Sequence, residues 1–204
     1  MSSKEDILAS IREHTLEQFA KPDLAPLEAK ALTYDDPVAQ FVKVLEQGGG
    51  RGVVVPAGKT LGEMVGELYP DAQRVALAVD EFSGEEQLPG TVFNPDDVEL
   101  PAELNGTDVA IVDSPLGVAE NACCWVEQRS VRHRAIYFIA EALIIVLSRR
   151  DIVNNMHEAY RRLPDRPQAP YACFISGPSK TADIEQALVF GAHGARETVA
   201  LITE

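Results

Sequence analysis

The pattern of apolar and polar positions separates an N-terminal arm from a longer region in which strand and helix patterns alternate. Apolar residues within residues 4–20 recur on one face of a helix, and Lys21-Pro22 ends this pattern. A linker rich in proline, alanine and leucine follows. The sequence therefore predicts a helical arm with its linker over residues 1–33 and an α/β domain over residues 34–204.

The α/β region contains short apolar runs, typical of strands, separated by helical patterns and turn signals. Asp36-Pro37 predicts the N-cap and first residue of a helix, which the glycines at 48–50 end. The predicted strands cover residues 51–56, 74–79, 108–113, 123–126, 135–140, 142–147, 171–176 and 198–203. The further predicted helices cover residues 59–68, 150–163 and 181–190. Because the strand runs are continuously apolar, we expect a three-layer α/β/α fold with a mixed, mainly parallel sheet covered on both faces.

The charge of the chain narrows the classes of partner. A formal net charge of -14 argues against nucleic acid, whose phosphates require a basic face. Acidic residues are concentrated before residue 129, so an anionic ligand should favour the C-terminal part of the chain. No apolar run approaches the roughly 18 residues that a membrane span needs, and the first residues are polar. We therefore expect a cytoplasmic protein without a membrane span.

We expect no cofactor in this chain, and its cysteines argue against an iron–sulfur cluster. Cys123, Cys124 and Cys173 form no CxxC motif, and an iron–sulfur cluster usually takes four thiolates. Adjacent strand residues point to opposite faces, so Cys123 and Cys124 would not bind one ion together. The four histidines also lack the spacing of metal ligands. We interpret the cysteines as small buried apolar residues.

One candidate site follows the predicted strand at 108–113. Asp113 comes at the strand end, where ligands of open α/β sheets usually bind, although the following Ser-Pro and Gly also suit a plain turn. Glu120 and Asn121 come immediately before the next strand. Glu120 is a candidate nucleophile or general base, and a solvated loop carboxylate is the alternative. The basic cluster over residues 129–134 is either an anion clamp or a solvated connection.

A second candidate site lies in the stretch ISGPSKTADIEQALVFGAHGARE, residues 175–197. Ser179 or Thr181 would cap the predicted helix, and Gly191 would end it. The unpaired N–H groups at its start could also hold an anion with help from Lys180, provided that the first-turn carboxylates point away. His193 between alanine and glycine gains little from packing, which favours a functional role.

These two segments resemble the LUD-domain family, and within it the lactate-utilization protein C group. Residues 177–197, here called the signature segment, carry the G-P-S-x-T-A-D-I-E and G-x-H-G elements of that family. Residues 108–121 resemble a second family segment, in which Asn121-Ala122-Cys123 replaces the usual T-G-T. On this basis Glu120 and His193 are the candidate catalytic residues. The candidate ligand contacts are Asp113, Asn121, Ser176, Gly177, Ser179, Lys180, Thr181, Asp183, Glu185 and Gly194.

The resemblance implies a fold akin to the ribose-phosphate isomerase and CoA-transferase superfamily. It also implies a role as the cluster-free subunit of a complex that oxidises L-lactate to pyruvate, with the iron–sulfur clusters held by two partner subunits. Two alternatives stay open: a stand-alone acyl or CoA transferase that uses Glu120, since Glu120-Asn121 resembles the glutamate-asparagine-glycine motif of those enzymes, and a sensor that binds a small anionic metabolite.

Overall fold

A computed structural model of the 204-residue chain describes residues 3–15, 20, 22–128, 131–164, 169–182 and 188–204. The chain forms two compact units, Met1–Ala31 and Leu32–Glu204. The first unit contains helices α1 (Ser3–His14) and α2 (Ala25–Glu28), so the predicted arm is helical up to His14. Within the described residues, no helix is long and apolar enough to cross a membrane.

Within its described residues, the second unit contains four further α-helices and twelve strands. The helices are α3 (Pro37–Gln47), α4 (Leu61–Leu68), α5 (Ile136–Ile139) and α6 (Met156–Arg162). The strands are β1 (Arg51–Val54), β2 (Arg74–Ala78), β3 (Thr91–Phe93), β4 (Val109–Ser114), β5 (Leu116–Val118), β6 (Cys123–Glu127), β7 (Ala142–Ser148), β8 (Ile152–Val153), β9 (Ala172–Ile175), β10 (Lys180–Ala182), β11 (Leu188–Phe190) and β12 (Glu197–Thr203).

The central sheet has six strands in the order β1-β12-β7-β4-β2-β3, and every adjacent pair is parallel. Its central strands contain continuous apolar runs, at residues 109–112, 142–147 and 199–202, because both faces are covered. Alternate residues enter two different cores: Ile145 and Ile202 pack on one side, and Ile144 and Leu201 on the other. The predicted α/β architecture with a mainly parallel sheet is confirmed.

The two faces of this sheet are covered by different elements. Helix α4 packs on one face through Leu61, Met64 and Val65. Helices α3 and α5 pack on the other face together with a smaller sheet of order β8-β5-β6-β9. In β6, Cys124 enters the core between the two sheets, whereas Cys123 and Trp125 face the opposite side, towards α6. The smaller sheet thereby brings β9 close to Leu143 of β7 and Thr198 of β12.

Local capping explains where α3 and α4 begin. Asp36 Oδ1 accepts a hydrogen bond of 3.0 Å from Ala39 N at the start of α3, and Pro37 occupies the first turn. Thr60 and Glu63 form a capping box at the start of α4. The sequence predicted α3 and its N-cap correctly, and it placed α4 within two residues of its observed start.

Three predicted elements are wrong. Residues 135–140 form helix α5 rather than a strand, because a short apolar run suits a buried helix equally well. The helix predicted over 150–163 begins only at Met156, after a 3₁₀ turn at Arg149–Asp151 and strand β8. The helix predicted over 181–190 is replaced at both described ends by strands β10 and β11, which pair antiparallel.

The last correction changes the roles assigned to several signature residues. Thr181 pairs with Val189 within the β10–β11 ladder, so Thr181 is not a helix N-cap. Ser179 precedes a strand and is therefore not a helix N-cap either. Gly191 does adopt a left-handed conformation, with φ of 78°, but it ends a strand. Asp183 and Glu185 lie outside the described residues.

Candidate functional site

The signature segment starts with a turn that glycine makes possible. Strand β9 ends at Ile175, and Gly177 then adopts a left-handed conformation with φ of 81°, which residues with a Cβ rarely adopt. Ser179 N donates to Ala195 O at 2.9 Å, and Gly191 N donates to Ser179 O at 3.0 Å. The main chain of Ser179, near the start of the signature segment, is therefore hydrogen-bonded to Gly191 and Ala195, near its end.

This arrangement encloses a cavity of about 370 Å³, here called the signature cavity. Its walls come from α5, β9, the signature segment and the amino ends of β7 and β12. The lining residues are Tyr137, Phe138, Leu143, Tyr171, Cys173, Phe174, Ile175, Ser176, Gly177, Ser179, His193, Gly194, Ala195 and Thr198. Five residues selected from the sequence thus meet around one space: Ser176, Gly177, Ser179, His193 and Gly194.

Aromatic rings form one wall of the signature cavity. The rings of Tyr137 and Tyr171 are stacked at 6.5 Å between centroids, and Phe138 meets each of them edge-on. Tyr137 donates its hydroxyl to Glu127 O at 2.8 Å. Burial raises the pKa of Tyr171 to about 12 and raises that of Tyr137 further. Both phenols are therefore neutral at physiological pH.

A positive charge lies beside this aromatic wall. The guanidinium carbon of Arg134 is 5.3 Å from the centroid of the Tyr171 ring, within the range of a cation–π interaction. The other described members of the basic cluster contact a different loop: Arg132 donates its main-chain N–H to Asp96 Oδ1, and the His133 side chain places Nε2 3.1 Å from Val98 O. Arg129 lies outside the described residues. The cluster thus contributes Arg134 to the surroundings of the signature cavity.

A buried threonine and a half-buried cysteine complete the polar lining. Thr198 is only 3% exposed, and its Oγ1 has no hydrogen-bond partner among the described residues. Cys173 is a free thiol whose pKa is raised by burial, against an opposing hydrogen bond from Tyr171. Sequence reasoning missed both residues. The detectable sequence signal for Thr198 was its position as a hydroxyl residue immediately before the apolar run at residues 199–202.

The second candidate segment contacts the first at Ser176. The Ser176 hydroxyl donates to Asn121 O at 2.5 Å, and Asn121 Oδ1 accepts from Cys123 N at 3.2 Å. Between them, Ala122 is fully buried with φ of 53°. This left-handed conformation falls where the family pattern has glycine. Alanine therefore preserves the backbone shape of the motif, at a cost in conformational strain.

Glu120 points away from this contact towards α6. Its Oε2 accepts a hydrogen bond of 3.0 Å from Met156 N, and its own N–H donates to Asn154 O at 3.0 Å. Met156 is the first residue of α6, whose early N–H groups have no partner within the helix. The described contacts of Glu120 therefore support the start of a helix.

Asp113 lines a different cavity from His193. It lies at the carboxyl end of β4, on a cavity of about 400 Å³ that also includes Trp125, Asp151 and Arg162. Burial raises the pKa of Asp113, its own backbone hydrogen bond opposes the rise, and the charge of Asp80 adds to it. The negative charge of Asp113 also contributes, after burial, to the raised pKa of Tyr137.

The remaining described residues that were selected from the sequence lie in strand β10 of the signature segment. Lys180 is exposed and Thr181 is half-buried, both in β10, and neither lines the signature cavity. Among the residues that the structure describes, no group of three His, Cys, Asp or Glu side chains could hold a metal ion. The arrangement is therefore suited to binding a small molecule through hydroxyls, an imidazole and aromatic rings.

The sequence matches the LUD domain over residues 38–203. Among curated proteins it is similar to lactate utilization protein C of Bacillus pumilus, with 28% identity over 162 residues that cover 76% of this chain and 64% of that protein. The protein of the same name from Geobacillus kaustophilus is 29% identical over 142 residues, which cover 62% of this chain and 58% of that protein. The protein of the same name from Oceanobacillus iheyensis is 30% identical over 92 residues, which cover 43% of this chain and 40% of that protein.

The matches thus span between 40% and 64% of the length of these three relatives. A crystal structure of a DUF162 family protein from Deinococcus radiodurans is similar in fold, with a TM-score of 0.64 over 85% of this chain and 99% of that chain. At 17% sequence identity this likeness concerns the fold alone. Because the family match covers residues 38–203, both candidate segments lie within it. The chain belongs to the LUD-domain family, and it resembles the lactate utilization protein C group within that family.

Proposed function

We propose that this chain is the LUD-domain component of a lactate-utilization system and acts as the cluster-free subunit of a complex that oxidises L-lactate to pyruvate. The observation that carries the proposal is the LUD-domain match over residues 38–203, together with relatives named lactate utilization protein C. The signature segment, which carries the resemblance, also forms the wall of a cavity large enough for a small molecule.

The division of labour with iron–sulfur partners is supported by the cysteines. Oxidation of lactate releases electrons that a redox centre must accept. The chain has three cysteines, fewer than the four thiolates that an iron–sulfur cluster usually takes. Cys124 faces the core between the sheets, and Cys123 faces the opposite side of β6. We therefore propose that partner subunits hold the iron–sulfur clusters and that this chain binds the organic acid.

Deletion of the gene in the source organism tests the proposal. We expect loss of growth on L-lactate, normal growth on a sugar, and recovery of both growth and lactate-dependent dye reduction when the full chain is restored. A tagged full chain should co-purify with cysteine-rich iron–sulfur proteins from lactate-grown cells. Normal growth of the deletion strain on L-lactate, with no such partner recovered, would contradict the proposal.

A further inference from the structure

We propose that the signature cavity binds a small organic carboxylate of the 2-hydroxy or 2-oxo acid class, and that Thr198 Oγ1 forms a hydrogen bond with it. The choice of this acid class rests on the proposed function, whereas the position of the site rests on the structure. Three observations support it: an unpartnered buried hydroxyl, the charges around the cavity, and its size and aromatic wall.

The hydroxyl of Thr198 is the first observation. Thr198 pairs in register with Leu143 at the amino end of β12, and both residues line the cavity. Buried polar groups in native proteins nearly always have a partner, because an unpaired one loses its hydrogen bonds to water. Thr107, another buried threonine, follows this rule by donating to Leu104 O at 2.7 Å. An oxygen atom of a bound ligand would supply the partner that Thr198 Oγ1 lacks.

The charges around the cavity are the second observation. No described side chain that lines the signature cavity carries a carboxylate, although the chain has a formal net charge of -14. Four other cavities formed by described residues each include at least one aspartate or glutamate. The signature cavity instead has His193 in its lining and Arg134 beside the Tyr171 ring. Each of those four cavities also includes a lysine or arginine, but acidic side chains outnumber basic ones in three of them. An anion therefore meets less repulsion in the signature cavity than in those three.

The size and the aromatic wall are the third observation. The volume of about 370 Å³ falls within the roughly 300–1,000 Å³ of small-molecule sites, and it exceeds what lactate alone would fill. The rings of Tyr137, Phe138 and Tyr171 offer apolar surface to the carbon skeleton of an acid. We therefore expect 3-phenyllactate to bind more tightly than L-lactate or pyruvate.

Calorimetric titration of the purified full chain with these three acids tests the inference. In Thr198→Val, which keeps the shape but removes the hydroxyl, we expect affinity to fall by about tenfold or more, because a ligand oxygen loses its partner. Thr198→Ser keeps the hydroxyl and should retain most of the affinity. Thr107→Val is the matched control, because it removes the buried hydroxyl of a residue that does not line the cavity and should leave affinity unchanged.

Thermal unfolding without ligand separates binding from folding. Thr198→Val should unfold at the same temperature as the wild type or higher, because it removes an unpaired buried hydroxyl. Thr107→Val should unfold at a lower temperature, because it breaks a formed hydrogen bond. Equal affinity of Thr198→Val and wild type for every acid, or binding of none of them by the wild type, would overturn the inference.

Thiol labelling locates the ligand independently of any substitution at Thr198. Cys173 lines the signature cavity, whereas Cys123 does not. A bound acid should slow alkylation of Cys173 several-fold and leave alkylation of Cys123 unchanged; equal rates with and without acid would contradict the location.

If the chain restores growth on lactate but binds none of the acids, the binding inference fails and the proposed function stands. If it binds the acids but deletion leaves growth on lactate normal, the proposed function fails instead.

Discussion

The Ser176 hydroxyl donates a 2.5 Å hydrogen bond to the main-chain carbonyl of Asn121, 55 residues earlier in the sequence. This bond joins the turn before the signature segment to the segment that carries Glu120 and Ala122. The antiparallel pairing of β6 with β9 places the two residues side by side, since Cys124 lies opposite Ile175. The two stretches that carry the family resemblance therefore form a single structural unit beside the signature cavity.

Ser176→Ala should weaken this connection. Loss of one hydrogen bond between neutral groups typically costs about 1 kcal/mol in the free energy of unfolding, measured by urea denaturation. Ser179→Ala is the matched control, because the described hydrogen bonds of Ser179 come from its main chain. We expect the control to change stability by no more than about 0.5 kcal/mol. Equal losses in the two variants would show that the Ser176 side chain adds nothing.

Glu120→Gln should preserve both stability and function. The glutamine side chain keeps an oxygen that accepts from Met156 N at the start of α6, whereas Glu120→Ala removes the acceptor and should cost about 1 kcal/mol. Stability is measured by thermal unfolding, and function by growth on L-lactate. A covalent role for the carboxylate predicts the opposite: Glu120→Gln would fold normally, abolish function and form no acyl adduct with CoA esters.

Ala122→Gly should cost less stability than the same substitution at Ala119. Both alanines are fully buried, so the loss of a methyl group and the added freedom of the unfolded chain are similar. Only Ala122 has a positive φ, of 53°, and the left-handed conformation costs alanine roughly 1–2 kcal/mol relative to glycine. Denaturant unfolding should show a difference of about that size between the two variants. Equal losses would contradict the strain at Ala122.

The pH dependence of stability should change in Asp113→Asn. Because the folded pKa of Asp113 lies above its ordinary value of 3.8, the folded state binds this proton more tightly than the unfolded state. Its contribution to stability is fully present below 3.8 and is lost as the pH rises through the raised folded pKa. The melting temperature of the wild type relative to Asp113→Asn should therefore fall over this interval.

A second substitution tests the cause of this shift. Burial is the larger cause and the charge of Asp80 a smaller one, so Asp80→Asn should reduce the pH effect without abolishing it. Thermal unfolding of the single and double variants across the same pH interval gives the measurement. An identical pH profile for wild type and Asp113→Asn would show that the carboxylate is not perturbed.

Local signals in the sequence were sufficient to predict most strands of the central sheet and the helices that have clear caps. Long apolar runs such as β7 and β12 are predicted correctly because a strand covered on both faces has few alternatives at that length. Asp36-Pro37 defines the start of α3 because a cap depends on residues three apart in sequence. The family segments likewise identified Ser176, Gly177, Ser179, His193 and Gly194, which line one cavity.

Elements whose conformation depends on pairing or packing with another segment were predicted wrongly. Residues 180–182 become a strand because they pair with residues 188–190, although their spacing also suits a helix. Residues 136–139 become a helix whose Ile136 and Tyr137 enter the core. Tyr137 and Tyr171 were not selected as site residues because neither belongs to a polar motif, and only packing brings their rings together.

The sequence by itself determined the α/β class, the family and the segment that lines the candidate site, because apolar periodicity, capping and short motifs act over a few neighbouring residues. The tertiary structure alone decided which polar groups lack partners. Thr198 and Thr107 are both buried threonines, yet the Thr107 hydroxyl donates to Leu104 O, whereas the Thr198 hydroxyl has no partner among the described residues. Hydrogen-bond satisfaction depends on atoms from distant parts of the chain, and it is this dependence that places the candidate ligand site at Thr198.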